Sequence, residues 1–234
     1  MMQAFRAVVA LLAVAAFAVV LTGGSANSVA AQSSSGARSI AEEAYNAKLP
    51  KDVHADSRSR LPLIKREDLD AEGKKAYDSH LSEESTSLAG LQGPGGLQLH
   101  GSKANIRGKG LGPQLQELAR LVVSREMDQV FEWTVHEPRA LKVGLEPAII
   151  DVVRYRKPLT GVGEKEAAII QLGREVFQKH HVESDTYARA FKLLGEKNLV
   201  DLCFLMGSYS TTAILLHTVD LHLPYDRKPL LPVP

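Results

Sequence analysis

The sequence predicts an all-α fold, and two observations predict it. From Gly112 onward, apolar residues recur at steps of three and four, which is the spacing of one helix face. No segment alternates apolar and polar residues as a half-buried strand does. Because 44% of the residues are apolar, the chain has enough of them to build a core, so disorder throughout is excluded.

The first 31 residues have the composition of a secretory signal peptide. Arg6 precedes an apolar run from Ala7 to Leu21, and small residues at Ala30 and Ala31 provide a cleavage site. A membrane anchor is the alternative, but a spanning helix needs about 20 apolar residues and this run is shorter. No cysteine follows the run and no Arg-Arg pair precedes it, which argues against a lipoprotein and against twin-arginine export. We therefore predict a secreted or periplasmic protein with no membrane segment after cleavage.

Between the signal peptide and Gly112 the chain is less regular. Residues 32–57 are predicted to be a flexible leader that contains a short helix over 39–48. A single helical domain over 58–224 begins with an amphipathic helix from Glu67 to Leu81. Residues 90–112 hold eight glycines and are predicted to be a loop.

Six helices are predicted after this loop. The first starts at Gly112-Pro113, because proline suits a first helical position. The second covers about 129–143 and stops at Gly144, and Pro138 is expected to kink or restart it. The others are predicted over 147–156, 164–180, 184–195 and 198–217. The last of them is apolar on most sides, which is typical of a core or subunit-interface helix. Residues 225–234 form a proline-rich C-terminal tail.

Charge and cysteine content exclude several functions. Lys and Arg total 28 against 27 Asp and Glu, and loss of Arg6 with the signal peptide brings the mature charge to zero. The chain therefore lacks the excess of positive charge that is typical of proteins that bind nucleic acid or an anionic membrane. The single Cys203 excludes an internal disulfide, a CxxC redox pair and a cysteine-rich zinc site. We expect this cysteine to be a small buried hydrophobe.

Three residues, Glu117, Glu132 and His136, are the strongest candidates for an acid–base site. Glu132 and His136 are four residues apart and share a helix face, and an antiparallel turn brings Glu117 to the same side. A carboxylate beside an imidazole fixes its tautomer and makes it a proton donor or acceptor near neutral pH. One alternative is an ordinary Glu/His pair on a solvated helix face. A metal site is the other, but there is no HExxH and no third ligand at a diagnostic spacing.

Four further residues complete the predicted substrate-binding set. Arg125 and His100 are expected to supply charge or a hydrogen bond to a substrate carboxylate. Trp133 and Tyr209 are added to them, although residues of these two types more often belong to a core. Other histidines are predicted to lie at the surface or an interface: His180, His181, His217 and His222.

The segments Leu115–Arg125 and Glu132–Leu145 resemble the carboxymuconolactone decarboxylase family, whose superfamily also holds the AhpD-type alkylhydroperoxidases. Shorter pieces agree with it in order and spacing, and the resemblance covers roughly residues 58–224. These pieces include Arg60-Leu-Pro, Gly93-Pro94, Leu99-His100, Ser184-Asp-Thr-Tyr187 and Gly207-Ser-Tyr209. Two features depart from the family pattern: the interval from His100 to Glu117 is short by about one helix, and the chain carries a secretion signal.

The resemblance implies an AhpD-like helical subunit that assembles as trimers or hexamers and has a site between helices around Glu117 and His136. In the peroxidase branch a CxxC pair precedes the histidine, and Gln129 and Glu132 occupy those positions here. Thiol peroxidase chemistry therefore lacks its thiolate. The proton-handling residues are retained, as in the decarboxylase branch.

The expected function is therefore that of a lyase acting on a small carboxylated, lactone-type substrate without a cofactor or metal. In this interpretation His136 is the proton donor or acceptor, Glu117 orients it, and Glu132 tunes its charge or holds substrate. The alternative is an exported, non-catalytic helical oligomer or small-ligand-binding protein.

Overall fold

The computed structural model describes residues 40, 42–82, 91, 94–101, 109–224 and 227–233. These residues are predominantly helical and, apart from one isolated bridge between His54 and Ser59, contain no β-structure, which confirms the all-α class. The predicted signal peptide lies outside the described residues. The leader is described at residue 40 and over 42–57, and helix is present at 40 and over 42–46, within the predicted short helix. The chain divides into one unit over 1–48 and a second over 49–234, and the elements below belong to the second.

The first two helices are short and lie ahead of the main bundle. Helix α1 covers Ala71–Leu81 and begins later than predicted, because Asp70 caps it by accepting a hydrogen bond from the Gly73 amide at 2.8 Å. Helix α2, Pro94–Gln98, lies within the predicted loop, so the loop prediction is wrong for these five residues. The rest of that loop lies partly outside the described residues.

Six helices follow, close to the predicted positions. They are α3 (Gly112–Glu126), α4 (Val130–Lys142), α5 (Pro147–Arg154), α6 (Glu164–Arg174), α7 (Ser184–Leu194) and α8 (Glu196–Thr218). A π-type segment, Glu175–Lys179, extends α6 to the left-handed residue His180. Gly144 ends the turn after α4 with a φ of +87°, a conformation that favours glycine.

Helix α4 runs through Pro138 without ending, so the predicted restart there is wrong. Pro138 is exposed, and the carbonyl that loses its amide partner is that of Thr134, one turn earlier. Continuity over Pro138 keeps Glu132 and His136 on one rigid element.

Helix α3 is the centre of the core. It packs against α4, α5, α6 and α8, and its Leu118 and Leu121 are fully buried. The approach to α6 is close, because a Cβ added at Gly173 would lie 2.3 Å from Cγ1 of Val122. A side chain at Gly173 would therefore push these two helices apart.

Helix α8 is buried along one face and exposed along the other. Leu202 and Leu205 are fully buried, whereas Ile214 and Leu215 are each 58% exposed. Cys203 lies on the exposed face, so the prediction of a buried cysteine is wrong. Within the described residues, α8 is the helix whose length and hydropathy would suffice to cross a membrane. Of its most apolar 18-residue stretch, 39% is buried inside the protein.

The C-terminal segment packs onto α3 and α4. Leu231 is 3% exposed and belongs to the main core cluster. The Pro232 carbonyl accepts a hydrogen bond from Nη1 of Arg125 at 2.9 Å, and the Leu230 amide donates to Oγ1 of Thr134 at 3.3 Å. The predicted tail is therefore anchored to the helices that carry the candidate site.

Glu175, in the π-type segment, is a buried carboxylate that connects α6 to α7. It accepts hydrogen bonds from Nε2 of Gln171 (2.9 Å), the Glu183 amide (3.0 Å) and Oγ1 of Thr186 (3.1 Å). Burial opposes the charged form, but these bonds outweigh it and hold the pKa of Glu175 below its ordinary value. The start of α7 is thus fixed to the end of α6.

We expect Glu175→Ala to lower the free energy of unfolding by about 1–2 kcal/mol, because it leaves three partly buried donors without their acceptor. Urea unfolding at neutral pH measures this, with the exposed Glu72→Ala as a control expected to cost less than about 0.5 kcal/mol. Since the pKa of Glu175 is lowered, the difference between wild type and variant should shrink as the pH falls. Equal midpoints for wild type and Glu175→Ala would contradict this structural role.

Candidate functional site

The turn between α3 and α4 brings the predicted catalytic residues together. The two helices are joined by residues 127–129, where Asp128 adopts a φ of +48° and the Gln129 amide donates to the Ser124 carbonyl at 2.7 Å. The Gln129 side chain also caps α4 by accepting from the Phe131 amide at 2.9 Å. The chain therefore reverses tightly, and Glu117 on α3 faces His136 on α4.

His136 lies between two carboxylates. Its Nδ1 is 2.7 Å from Oε2 of Glu117, and its Nε2 is 3.4 Å from Oε2 of Glu132. His136 is 3% exposed, and both glutamates are buried. The alternative of a solvated Glu/His pair is therefore wrong.

Arg120 and Tyr209 complete the cluster. Nη1 of Arg120 donates to Oε1 of Glu117 at 2.7 Å, and its guanidinium lies 5.2 Å from the centre of the Tyr209 ring. The Tyr209 ring in turn meets the His136 ring edge-on, with centroids 5.1 Å apart. The prediction missed Arg120, although its position three residues after Glu117 on one helix is a sequence signal for an ion pair.

These contacts define which nitrogen of His136 is available for chemistry. With Glu117 ionised, the 2.7 Å contact assigns a proton to Nδ1, which donates it to the carboxylate. Nε2 then carries the lone pair of the neutral ring or the second proton of the imidazolium. At 3.4 Å, Glu132 attracts that proton without holding it in a short hydrogen bond.

Burial and pairing act in opposite directions on both partners. Burial disfavours the imidazolium, but the hydrogen bonds to Glu117 and Glu132 outweigh it and raise the pKa of His136. Burial also opposes ionisation of Glu117, but the hydrogen bond from His136 and the charge of Arg120 lower the pKa of this carboxyl. The protein thereby favours the carboxylate–imidazolium form of the pair.

The two shifts define a pH window of stability. The contribution of His136 is complete below its ordinary pKa of 6.5 and is lost as the pH rises through the raised value. The contribution of Glu117 is present above its ordinary pKa of 4.5 and is lost as the pH falls through the lowered value. We expect the gap in unfolding free energy between wild type and Glu117→Gln to be largest between these two values. Urea unfolding at several pH values measures it, and a gap that stays constant up to about pH 9 would contradict the pairing.

No family model, curated protein or solved structure matches the chain. Functional inference therefore depends on the residues and on this geometry.

Three of the four residues predicted to bind substrate have their contacts elsewhere, namely His100, Arg125 and Trp133. Nδ1 of His100 is 2.6 Å from Oε1 of Glu196, at the start of α8. Arg125 holds the Pro232 carbonyl and lies 3.3 Å from Asp128, so the structure gives it an anchoring role that the sequence did not indicate. Tyr209 is the member of the predicted binding set that joins the cluster.

Trp133 is fully buried in the core, and its contact with substrate stays a prediction. Its Nε1 donates to Oε2 of Glu137 at 2.6 Å, and the Arg154 guanidinium lies 5.6 Å from its ring centre. With no exposed surface, Trp133 is a packing residue. The remaining histidines are exposed as predicted, namely His180, His181, His217 and His222.

Two further features bear on ligands. Within the residues that the structure describes, no group of three or more acidic, histidine or cysteine side chains is arranged to hold a metal ion. A cleft of about 860 Å³ lies at the start of α4, beside the end of α8 and the C-terminal segment. Its walls include Phe131, Tyr155, His217 and Leu223, and Glu117, Arg120 and His136 are not among its lining residues.

Proposed function

We propose that the chain is a carboxymuconolactone decarboxylase-like lyase that acts on a small carboxylated, lactone-type substrate. The observation that carries this proposal is the buried arrangement of Glu117, His136 and Glu132, with the 2.7 Å bond that leaves Nε2 of His136 as the exchanging atom. The sequence resemblance over roughly 58–224 and the all-α class support the same assignment.

His136 performs the proton transfer in this mechanism. Heterolysis of the bond between the substrate carboxylate and its neighbouring carbon releases CO₂ and leaves the electron pair on that carbon as a carbanion or dienolate. The imidazolium gives its Nε2 proton to this carbon and becomes neutral. Glu117 keeps the ring oriented and stabilises the charged form beforehand, and solvent returns the proton afterwards. Glu132 adds negative charge that favours reprotonation of Nε2.

A direct assay of CO₂ release tests the proposal. Purified residues 32–234 are offered carboxymuconolactone and related carboxylated lactones, and CO₂ release is followed above the uncatalysed rate. We expect release from at least one of these compounds. Absence of release from all of them would refute the decarboxylase assignment.

The 860 Å³ cleft favours a second candidate function, that of an exported small-ligand-binding protein. Cavities of this size accommodate a typical small organic ligand. If this is correct, a ligand that binds the cleft should raise the melting temperature of wild type and of Glu117→Gln. It should not raise the melting temperature of Phe131→Arg, because the substitution fills the cleft with a charged side chain. Loss of the effect in Glu117→Gln alone would instead place the ligand at His136.

The working form that we propose is an exported homo-oligomer, a trimer or a hexamer. The face of α8 that carries Cys203, Gly207, Ile214 and Leu215 supports assembly, because it is exposed and lacks charged residues. The composition of residues 1–31 supports export. Light scattering at the monomer mass would refute the oligomer, and retention of a reporter fused after residue 31 in the cytoplasm would refute export.

A further inference from the structure

Arg120 is a charged group of the His136 cluster to which the proposed mechanism gives no part. Its side chain is 12% exposed, and its Nε is buried without a hydrogen-bond partner. Nη1 makes the 2.7 Å bond to Glu117, while Nη2 reaches Gln116 only at 3.4 Å. A buried guanidinium with one strong bond and an unpaired Nε is costly, so a structural role in packing explains it poorly.

Arg120 and His136 share one carboxylate. Glu117 gives Oε1 to Arg120 and Oε2 to Nδ1 of His136. The bond to Arg120 therefore fixes the plane of the carboxylate and with it the oxygen that faces the imidazole. The Tyr209 ring holds the guanidinium in this position from the α8 side and also contacts His136.

The charged groups around His136 come from two helices. Glu117 and Arg120 face it from α3, Glu132 lies beside it on α4, and Arg139 acts on Glu117 from the exposed side of α4. Tyr209 on α8 adds an aromatic ring. Arg120 is the cation of this group that bonds directly to the carboxylate used by His136.

We propose that Arg120 is a positioning residue of the site: it orients the Glu117 carboxylate toward Nδ1 of His136 and offsets part of the negative charge that would otherwise hold the proton on the imidazole. This inference rests on the proposed proton transfer by His136. Two carboxylates without Arg120 would retain that proton too strongly for easy transfer to carbon. Arg120 therefore orients the Glu117 carboxylate and limits how strongly the two carboxylates hold the proton on His136.

The test is an NMR titration of His136 in the purified protein without substrate. Arg120→Gln removes the charge, and we expect the His136 titration midpoint to shift upward, because both glutamates then act on the imidazolium without a nearby cation. Arg120→Lys, which keeps the charge, should leave the midpoint closer to that of wild type. The control is Arg139→Gln, which removes a cation that acts on Glu117 without a hydrogen bond and should shift the midpoint less.

An unchanged or lowered midpoint in Arg120→Gln, or an equal shift in Arg139→Gln, would overturn the inference. General loosening of the site would weaken the bonds from the glutamates and lower the His136 midpoint, so an upward shift distinguishes removal of the Arg120 charge from damage to the site. A second measurement uses wild type alone: the Arg120 side-chain resonances should follow the His136 titration, and resonances that ignore it would also overturn the inference. Neither result depends on CO₂ release, so the decarboxylase proposal can fail independently.

Discussion

We expect His136→Ala to lower the rate of CO₂ release by roughly 10²- to 10⁴-fold, which is the usual contribution of a positioned general acid. The substitution removes Nε2, the atom that exchanges the proton in the mechanism, and leaves Glu117 paired with Arg120. The measurement is turnover of the best carboxylated lactone by purified residues 32–234. Substrate KM should change less than kcat, because the interaction lost belongs mainly to the transition state.

The matched control is His181→Ala, which removes an exposed imidazole from the turn before α7 and should leave turnover unchanged. Melting temperatures of both variants separate loss of chemistry from loss of fold. Turnover of folded His136→Ala within about threefold of wild type would remove His136 from the mechanism, because that change is far below the contribution of a general acid.

The cluster of Glu117, Glu132 and His136 was predictable from sequence because it depends on local geometry. Glu132 and His136 are fixed by one helical turn, and Glu117 needs only the short connection between α3 and α4. Arg120 was equally accessible, since its spacing from Glu117 on α3 favours an ion pair. The contacts that Arg125 and Trp133 make in the structure were not predictable in this way, because they depend on residues distant in sequence or on burial. Pro232 lies 107 residues from Arg125, and no local pattern indicates that pair.

The fold class was predicted from helical periodicity, and the errors in the predicted elements have local causes. The glycine-rich segment contains α2, Pro94–Gln98, because glycine weakens helices without forbidding them. Cys203 was misassigned because α8 is apolar on most sides, so hydropathy alone does not show which face is covered. Only the packing of α3 against α8 decides that question.

We expect Trp133→Ala to lower the free energy of unfolding by about 3–5 kcal/mol, the usual cost of deleting a large aromatic side chain from a core. Trp133 is fully buried, so the deletion leaves a cavity beside α3. It also leaves Oε2 of Glu137 without its 2.6 Å donor and removes the ring under Arg154. Urea unfolding followed by circular dichroism measures the change, since Trp133 is the single tryptophan and its fluorescence disappears with it.

Trp133→Phe is the informative companion variant. It keeps an aromatic ring in the core and loses the Nε1 donor, so its cost should be clearly smaller than that of Trp133→Ala. If Trp133 only packs, the KM of folded Trp133→Phe should equal that of wild type. A raised KM at unchanged stability would return Trp133 to the substrate-binding set.

The anchoring of Leu231 makes the protein sensitive to a single proteolytic cut. The chain between α8 and Leu230 contains exposed residues, among them Val219 and Leu221, and exposed segments of this kind are preferred cleavage sites. A cut there would leave Leu231 and the Pro232 carbonyl on a separate peptide, so contacts now made within one chain would require a bimolecular encounter. The effective concentration that holds them, in the millimolar range for a short tether, would be lost. Wherever a protease can reach this segment, the lifetime of the segment would then set the lifetime of the core beside the site.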